Sequence, residues 1–381
     1  MKIAYVYSTL AKTGGTERMI TEKANYFVEL LGYDVTIINS FQLPGETNHF
    51  HLSSKVKQIN LGIPYFSQYK YKYPQRLWIK WKVNRLLRRS INQAVRQVDP
   101  DILIGVVQFQ ANLVSSIRCR SKKVFECHEA KCYTLSYLGR KQPFPTKVYN
   151  KISRYFYFRS IEKTASAIVT LTKKDKLLWE KAKRVEVIPN FSTMPINQYS
   201  NCTHKRVIAV GRLEWEKGFE RLIQAWNIIS SRFPDWFLYI FGEGELYNDL
   251  IDLIKTYKTK NITIHPFSSN ISQEYVNSSI CAVTSYFEGF SLVILEAMKH
   301  GVPCIAFDCP FGPGEIIENN KCGYLIEDGN ITRYAEKLSN LIENDELRKQ
   351  FSEASIKRSY SFNKDTVMLQ WKKLFEELVG E

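Results

Sequence analysis

The chain contains no run of roughly 18 or more uncharged apolar residues, so no segment of it reads as a transmembrane helix. It has no C-x2-C pair either. Its eight cysteines, at 119, 127, 132, 202, 281, 304, 309 and 322, have spacings that fit neither a zinc site nor a disulfide framework. They read as buried or incidental thiols in a reducing cytoplasm. The opening MKIAYVYSTLAKTGG is a strand running into a glycine loop, too brief and too early for a signal peptide. The complete G-x-G-x-x-G of a dinucleotide site is missing from that loop. Zinc-finger, RNA-recognition and basic-zipper patterns are missing as well, which counts against nucleic acid as a partner despite a net charge of +15.

What is present is a chain of 381 residues, 44% hydrophobic and 24% charged, the composition of a soluble globular protein long enough for two domains. Its charge is divided unevenly. Residues 1–195 carry a net +20 and residues 196–381 a net −5, so the two halves face different partners. The basic half suits nucleic acid, an anionic membrane or a phosphorylated acceptor.

Two stretches concentrate that charge among aromatics. Phe66–Gln97 mixes nine Lys or Arg with Tyr69, Tyr71, Tyr73, Trp78 and Trp81. After Pro74 it reads as an amphipathic helix with Leu77, Trp81, Leu86 and Val95 among its apolar residues. Arg140–Lys163 repeats the mixture, with seven basic residues against one Glu. Such helices suit an anionic bilayer surface, or else pack on a core and leave a solvated basic face.

The order of elements is that of a doubly wound α/β protein. Lys2–Leu10 is an opening strand. Gly14 and Gly15 form a tight loop whose amides can approach an anion. Thr16 is positioned to cap a helix with Met19, Ile20, Ala24, Phe27 and Leu30-Leu31 on one face, and Asp34–Asn39 is the second strand. Asp99-Pro-Asp101 marks the turn into a strand better than it marks a metal site. Val124–Lys131 is a strand ending in Cys127-His128-Glu129; a lone His at a strand's end is usually a hydrogen-bonded structural residue, but here it ends a strand of a doubly wound sheet, where sites form. Composition, proline and the charge reversal place a domain boundary in the polar stretch Ser192–Lys205.

The second half restarts with strand Val207–Val210 and Gly211. Arg212 and Lys217 then stand five apart on a loop before a helix, where two cations can neutralise a diphosphate or lie in solvent. Further on, strand Cys281–Ser285 leads through a break to a helix opening at Ser291, and Gly301 stops that helix before strand Val302–Phe307. Glu288 sits in the break and Glu296 in the helix, with free helix-start amides between them at Gly289, Phe290 and Ser291. One carboxylate for hydroxyls at each end and amides for phosphates would suit a sugar phosphate. Taken alone, the pair is equally a loop charge and a solvated helix charge.

The flanking residues are more specific. EGFSLVILEAMKHGVP resembles the E-x7-E signature of retaining glycosyltransferase family 4, which has the GT-B fold. GRLEWEKG resembles the G-R-L-x-x-x-K-G of that family, and GGTER is similar to its first glycine loop. The resemblance covers the second half and touches the first at GGTER and His128. It implies two doubly wound parallel-sheet domains, Rossmann-like and facing across a cleft. These are residues 1–190 for the acceptor and 203–364 for the nucleotide sugar, with a terminal helix near 365–381 returning to the first. It implies that Arg212 and Lys217 hold the donor diphosphate, with Glu296 on the ribose and Glu288 on the donor sugar. His128 lies near that sugar, and Gly14 and Gly15 border the diphosphate.

The activity implied is retaining hexosyl transfer from a nucleotide-diphosphate sugar, a UDP-sugar first, without metal or other cofactor. GGTER, GRLEWEKG and DCPFGPGEII look most like the bacterial branch that builds capsule, exopolysaccharide or lipid-linked glycans. The acceptor implied is a lipid-linked glycan at the cytoplasmic membrane face, with the enzyme peripheral on an anionic membrane. Two rivals remain: another enzyme of the same fold, such as a sugar-nucleotide epimerase or glycan phosphorylase, and a non-catalytic basic module for membrane or nucleic acid.

Overall fold

The computed structural model describes residues 1–72, 74–108, 110–132 and 144–380. Tyr73 and the start of the second basic stretch, 140–143, lie outside the described residues. The chain divides into two compact units, Met1–Ile188 with Met368–Glu381, and Pro189–Val367.

The first unit is built on seven parallel strands: β1 (Lys2–Tyr7), β2 (Asp34–Asn39), β3 (Lys57–Asn60), β4 (Ile102–Val106), β5 (Lys122–Glu126), β6 (Ala167–Thr170) and β7 (Val185–Val187). Their order in the sheet is β3-β2-β1-β4-β5-β6-β7. The inner strands are short Val/Ile/Leu runs buried almost end to end, as strands covered by helices on both faces must be. The covering helices are α1 (Gly15–Glu29), α2 (Gln75–Val98), α3 (Ala111–Ser116), α4 (Phe144–Thr164) and α5 (Lys173–Lys176). Leu87 and Ile91 of α2 and Ile161 of α4 pack with Val6, Leu103, Phe125 and Ile168 of the sheet.

The second unit repeats the plan with six parallel strands: β8 (Arg206–Val210), β9 (Phe237–Phe241), β10 (Ile262–His265), β11 (Ile280–Val283), β12 (Cys304–Phe307) and β13 (Gly323–Ile326). The order is β10-β9-β8-β11-β12-β13. Its helices are α6 (Phe219–Ile229), α7 (Tyr247–Tyr257), α8 (Ile271–Val276), α9 (Leu292–Lys299), α10 (Pro313–Ile316), α11 (Ile331–Glu343) and α12 (Asp345–Ser359). In each sheet the order reverses beside the first strand of the unit, between β1 and β4 and between β8 and β11. Chains leaving adjacent strands on either side of such a reversal diverge to opposite faces, and a crevice opens at the carboxyl edge.

The terminal helix α13 (Lys364–Gly380) belongs to the first unit from Met368 onward. Its Trp371, Phe375 and Leu378 are buried, with the Phe375 ring 5.4 Å from that of Phe27 on α1.

Several local expectations change. The strands end earlier than their apolar runs, β1 at Tyr7 and β11 at Val283. Gly14, not Thr16, caps α1; Thr16 lies within the helix. Leu30, on that helix's expected core face, is the C-cap residue and is exposed. On α2 only Val95 of the four expected apolar residues is buried; Leu77, Trp81 and Leu86 face outward, and Val83, Leu87, Ile91 and Ala94 complete the buried stripe. The polar stretch Ser192–Lys205 is no free linker. Ser200 donates its amide to the His300 carbonyl at 2.8 Å and its hydroxyl to Ser278 at 2.6 Å, while Lys299 holds the carbonyls of Ser192 and Met194.

Candidate active site

Two loops leave the reversal point of the second sheet, one after β8 and one after β11, and they pack on each other. Gly218 ends the first loop in the left-handed region, at φ +60°, and a Cβ there would run into the carbonyl oxygen of Thr284. Only glycine meets both requirements without strain. The hydroxyl of Thr284 donates to the Gly218 carbonyl at 2.9 Å, and the amide of Tyr286 donates to the Glu216 carbonyl at 2.9 Å. The Trp215 and Tyr286 rings stack with centroids 4.8 Å apart and planes 10° apart. Tyr286 also donates its hydroxyl to Glu220 at 2.7 Å, and burial with this carboxylate pushes its pKa up to about 12.

This seam brings Lys217 to Glu288. The ammonium lies 2.8 Å from Glu288 Oε1, with side chains 21% and 10% exposed, and Ser285 adds its hydroxyl to the same oxygen at 2.7 Å. From the other side, Glu288 bridges to Phe311, and a Cβ at Gly312 would stand 2.6 Å from that of Glu288. Glu288 is therefore wedged between three loops, immediately before α9.

The start of α9 is unusual. Ser291 occupies the N-cap position but at φ +62°, and its side chain makes no capping bond. Its hydroxyl oxygen is buried without a partner among the described residues. The expected role of Ser291 as an ordinary side-chain cap is therefore corrected. A left-handed serine costs about 1 kcal/mol, and an orphaned buried hydroxyl costs about as much again. Such strain accumulates where a ligand is held. The first amides of a helix have no partner within it, so Gly289, Phe290 and Ser291 lead into a set of outward N–H groups beside Lys217. Phe290 is buried against Phe362, which anchors this end, and Glu296 is buried on the second turn of α9.

Arg212 is on the same β8 loop but stands apart from the pair. Its side chain is 66% exposed and shared between Glu214 at 2.9 Å and Glu216 at 2.7 Å. Burial and the adjoining Glu216 raise the Glu214 carboxyl above its ordinary range, while Arg212 opposes the shift.

In the first unit, Gly14 and Gly15 open α1. A Cβ at Gly14 would collide with the Glu17 carboxylate, which accepts the Tyr7 hydroxyl at 2.8 Å. His128 lies just past the end of β5, buried, with Nε2 3.1 Å from Glu126 Oε1 but not aligned for a hydrogen bond. Lys23 of α1 forms an ion pair with the same carboxylate and lies 4.8 Å over the Trp371 ring. Burial, reinforced by the Lys23 charge, holds the His128 imidazole well below its ordinary pKa, so it is neutral at physiological pH. Burial also holds Lys23 well below the usual lysine range.

Comparison with known proteins places this geometry. Residues 196–358 match the family of glycosyl transferases group 1. An uncharacterized glycosyltransferase of Haemophilus influenzae is 27% identical over 97% of this chain and 99% of its own length. The amylovoran biosynthesis glycosyltransferase AmsD of Erwinia amylovora is 27% identical over 97% and 98%. A mutant of S. aureus TarM, solved with Fondaparinux, alpha-GlcNAc-glycerol and UDP, superposes with a TM-score of 0.77 at 15% identity, covering 98% of this chain and 99% of that one. The overall fold is GT-B, each unit a Rossmann-like sheet.

Several residues around the candidate site residues of each unit escape a reading of the sequence. Lys23 left a trace, because it lies on the apolar face of α1 between Ile20 and Ala24. Glu126 left none, since a carboxylate at a strand end resembles any other strand terminus. Ser285, Trp215 and Gly312 act through contacts between loops distant in sequence, which no spacing encodes.

Proposed function

We propose that the protein is a retaining glycosyltransferase that moves a sugar from a nucleotide-diphosphate sugar, a UDP-sugar, to a lipid-linked or polysaccharide acceptor in bacterial surface glycan biosynthesis. The observation that carries this reading is the wedge of Lys217 and Glu288 at the strained, amide-lined start of α9. When the sugar–phosphate bond breaks, negative charge grows on the leaving diphosphate. Lys217 and the α9 amides are donors fixed in advance for that charge, which is the largest single source of catalysis in many enzymes. Arg212, held on the same loop by Glu214 and Glu216, exchanges those carboxylates for the diphosphate when the donor binds. The same donors do the work for which other enzymes recruit a metal ion, so transfer should persist in excess EDTA.

Glu288 accepts hydroxyls of the donor sugar and Glu296 those of the ribose. His128, neutral and buried, contacts the sugar as a hydrogen-bonding group, and Gly14 and Gly15 border the diphosphate. The basic first unit takes the acceptor at the inner face of the cytoplasmic membrane. Relatives named for amylovoran synthesis, and for transfer onto a diphospho-undecaprenol-linked sugar, support that acceptor class.

A thermal-shift series with nucleotide sugars tests donor binding, because a ligand held by the folded state raises its melting temperature. Incubation of the stabilising sugar nucleotide with a lipid-linked acceptor, followed by NMR of the anomeric proton, tests transfer and retention. Release of an epimerised nucleotide sugar, or no shift with any nucleotide sugar, would overturn the reading.

A further inference from the structure

The outward face of α2 carries the most pronounced surface feature of the first unit. The helix has seven Lys or Arg and no Asp or Glu over 24 residues, about 36 Å at about 1.5 Å per residue. Its inner stripe, Val83, Leu87, Ile91 and Val95, is buried in the domain core. Positions 77, 81, 85, 88, 92 and 96, spaced by four, four, three, four and four, form the opposite stripe, and 78, 82, 89 and 93 flank it.

The two ends of that face differ. At the amino-terminal end, Leu77, Trp78 and Trp81 are 55%, 57% and 56% exposed, and Phe66 and Tyr69 of the preceding turn extend the apolar patch. Cations sit on its rings, with Lys82 Nζ 3.6 Å from the Trp78 centroid and Arg76 4.4 Å from that of Tyr69. Toward the carboxyl-terminal end, Arg88, Arg89 and Arg96 join Arg118 around an open recess of about 510 Å³ that no carboxylate lines.

We propose that this face docks the protein on an anionic bilayer, the tryptophan end seating at the headgroup–acyl boundary and the arginine recess taking lipid phosphates. Exposed indoles beside cations are what a membrane interface selects, because the ring gains from leaving water while its N–H and the neighbouring charge stay hydrated. A soluble polyanion explains the arginines but leaves the tryptophans and Leu77 in water. The recess suits guanidinium–phosphate pairing, in which the planar fork donates two parallel hydrogen bonds to one phosphate. The choice of a bilayer as occupant rests on the lipid-linked acceptor of the preceding section. The test reads binding alone and needs no turnover.

Full-length protein is sedimented with phosphatidylglycerol-rich vesicles and with phosphatidylcholine vesicles at low salt. The expected result is binding to the anionic vesicles, lost as salt rises, with a blue shift of tryptophan emission. Neutralising Arg88, Arg89 and Arg96 to Gln together should weaken it about a hundredfold, at roughly a factor of five per charge removed. Trp78→Ser with Trp81→Ser should abolish most of the blue shift and weaken binding about tenfold. All of these positions are exposed, and the melting temperature with and without UDP checks that each variant is folded and still takes the donor. Wild-type binding to neither vesicle, or binding that survives both sets of substitutions, overturns the proposal. Preference for inorganic polyphosphate or RNA over vesicles, unaffected by the tryptophan substitutions, overturns it as well. Loss of the UDP shift alone would instead count against the donor reading.

Discussion

Replacing Lys217 with Met separates two roles that this side chain can have. Its ammonium is one of two groups on the Glu288 Oε1 atom, and the pair is nearly out of solvent, at 21% and 10% exposure. Removing one partner of a fully buried pair costs about 3–5 kcal/mol; the residual exposure of Lys217 lets water reach the orphaned carboxylate, so about 2–3 kcal/mol is expected here. If Lys217 also neutralises the leaving diphosphate, its loss removes a transition-state donor, and kcat should fall about 10²–10³-fold. The discriminating background is Glu288→Gln, which leaves no charge for Lys217 to hold. Adding Lys217→Met to Glu288→Gln should cost under about 1 kcal/mol of stability by chemical denaturation, yet a further drop of about 10²-fold in kcat. Should the double variant turn over no more slowly than Glu288→Gln alone, Lys217 merely positions Glu288 and the electrostatic argument fails.

Other outcomes follow from single residues. Gly218→Ala, strained at φ +60° and facing the Thr284 carbonyl, should lower stability by about 1–3 kcal/mol and raise KM for the donor, read by melting temperature and steady-state kinetics. Burial pushes the Asp175 carboxyl up to about 6 although it accepts the Lys131 amide at 2.8 Å. A folded pKa above the unfolded one means that stability is full below about pH 4 and declines as pH rises through about 6. Asp175→Asn keeps the acceptor and removes the charge, so its melting temperature should lose that decline; an unchanged pH profile would refute it. His128 has the opposite type of shift, a cation disfavoured by burial. Its contribution should therefore fall away as pH drops below about 6.5, and His128→Asn should flatten that limb. Phe375→Ala should cost about 3–5 kcal/mol, because its ring fills the core beside Phe27 and no neighbour can replace it.

Two Rossmann-like units, the loops carrying candidate site residues and the helix at Leu292–Lys299 were legible from the sequence for a local reason. An apolar β-branched run, a glycine and a 3.6-residue apolar period each act within a few residues, and repetition along the chain implies strands laid parallel. The pairing of Arg212 and Lys217 as equals was legible only as types at a spacing. The folded chain instead places Lys217 in the wedge and leaves Arg212 at 66% exposure between two glutamates. Side-chain partners depend on which loops the sheet order brings together, and sequence separation, 71 residues between Lys217 and Glu288, carries no trace of that.

The sequence by itself determined the alternation of strands and helices, the glycines that stop and turn them, and the excess of positive charge in the first half. These follow from backbone stereochemistry and composition, which need no neighbour distant in the chain. Only the tertiary structure decided that Ser291 would be left-handed and uncapped, that Lys23 and Glu126 would share a buried site beside His128, and that the tryptophans of α2 would face outward. Each is a competition for space and solvent among segments far apart in sequence, settled when the sheets and helices close on their cores.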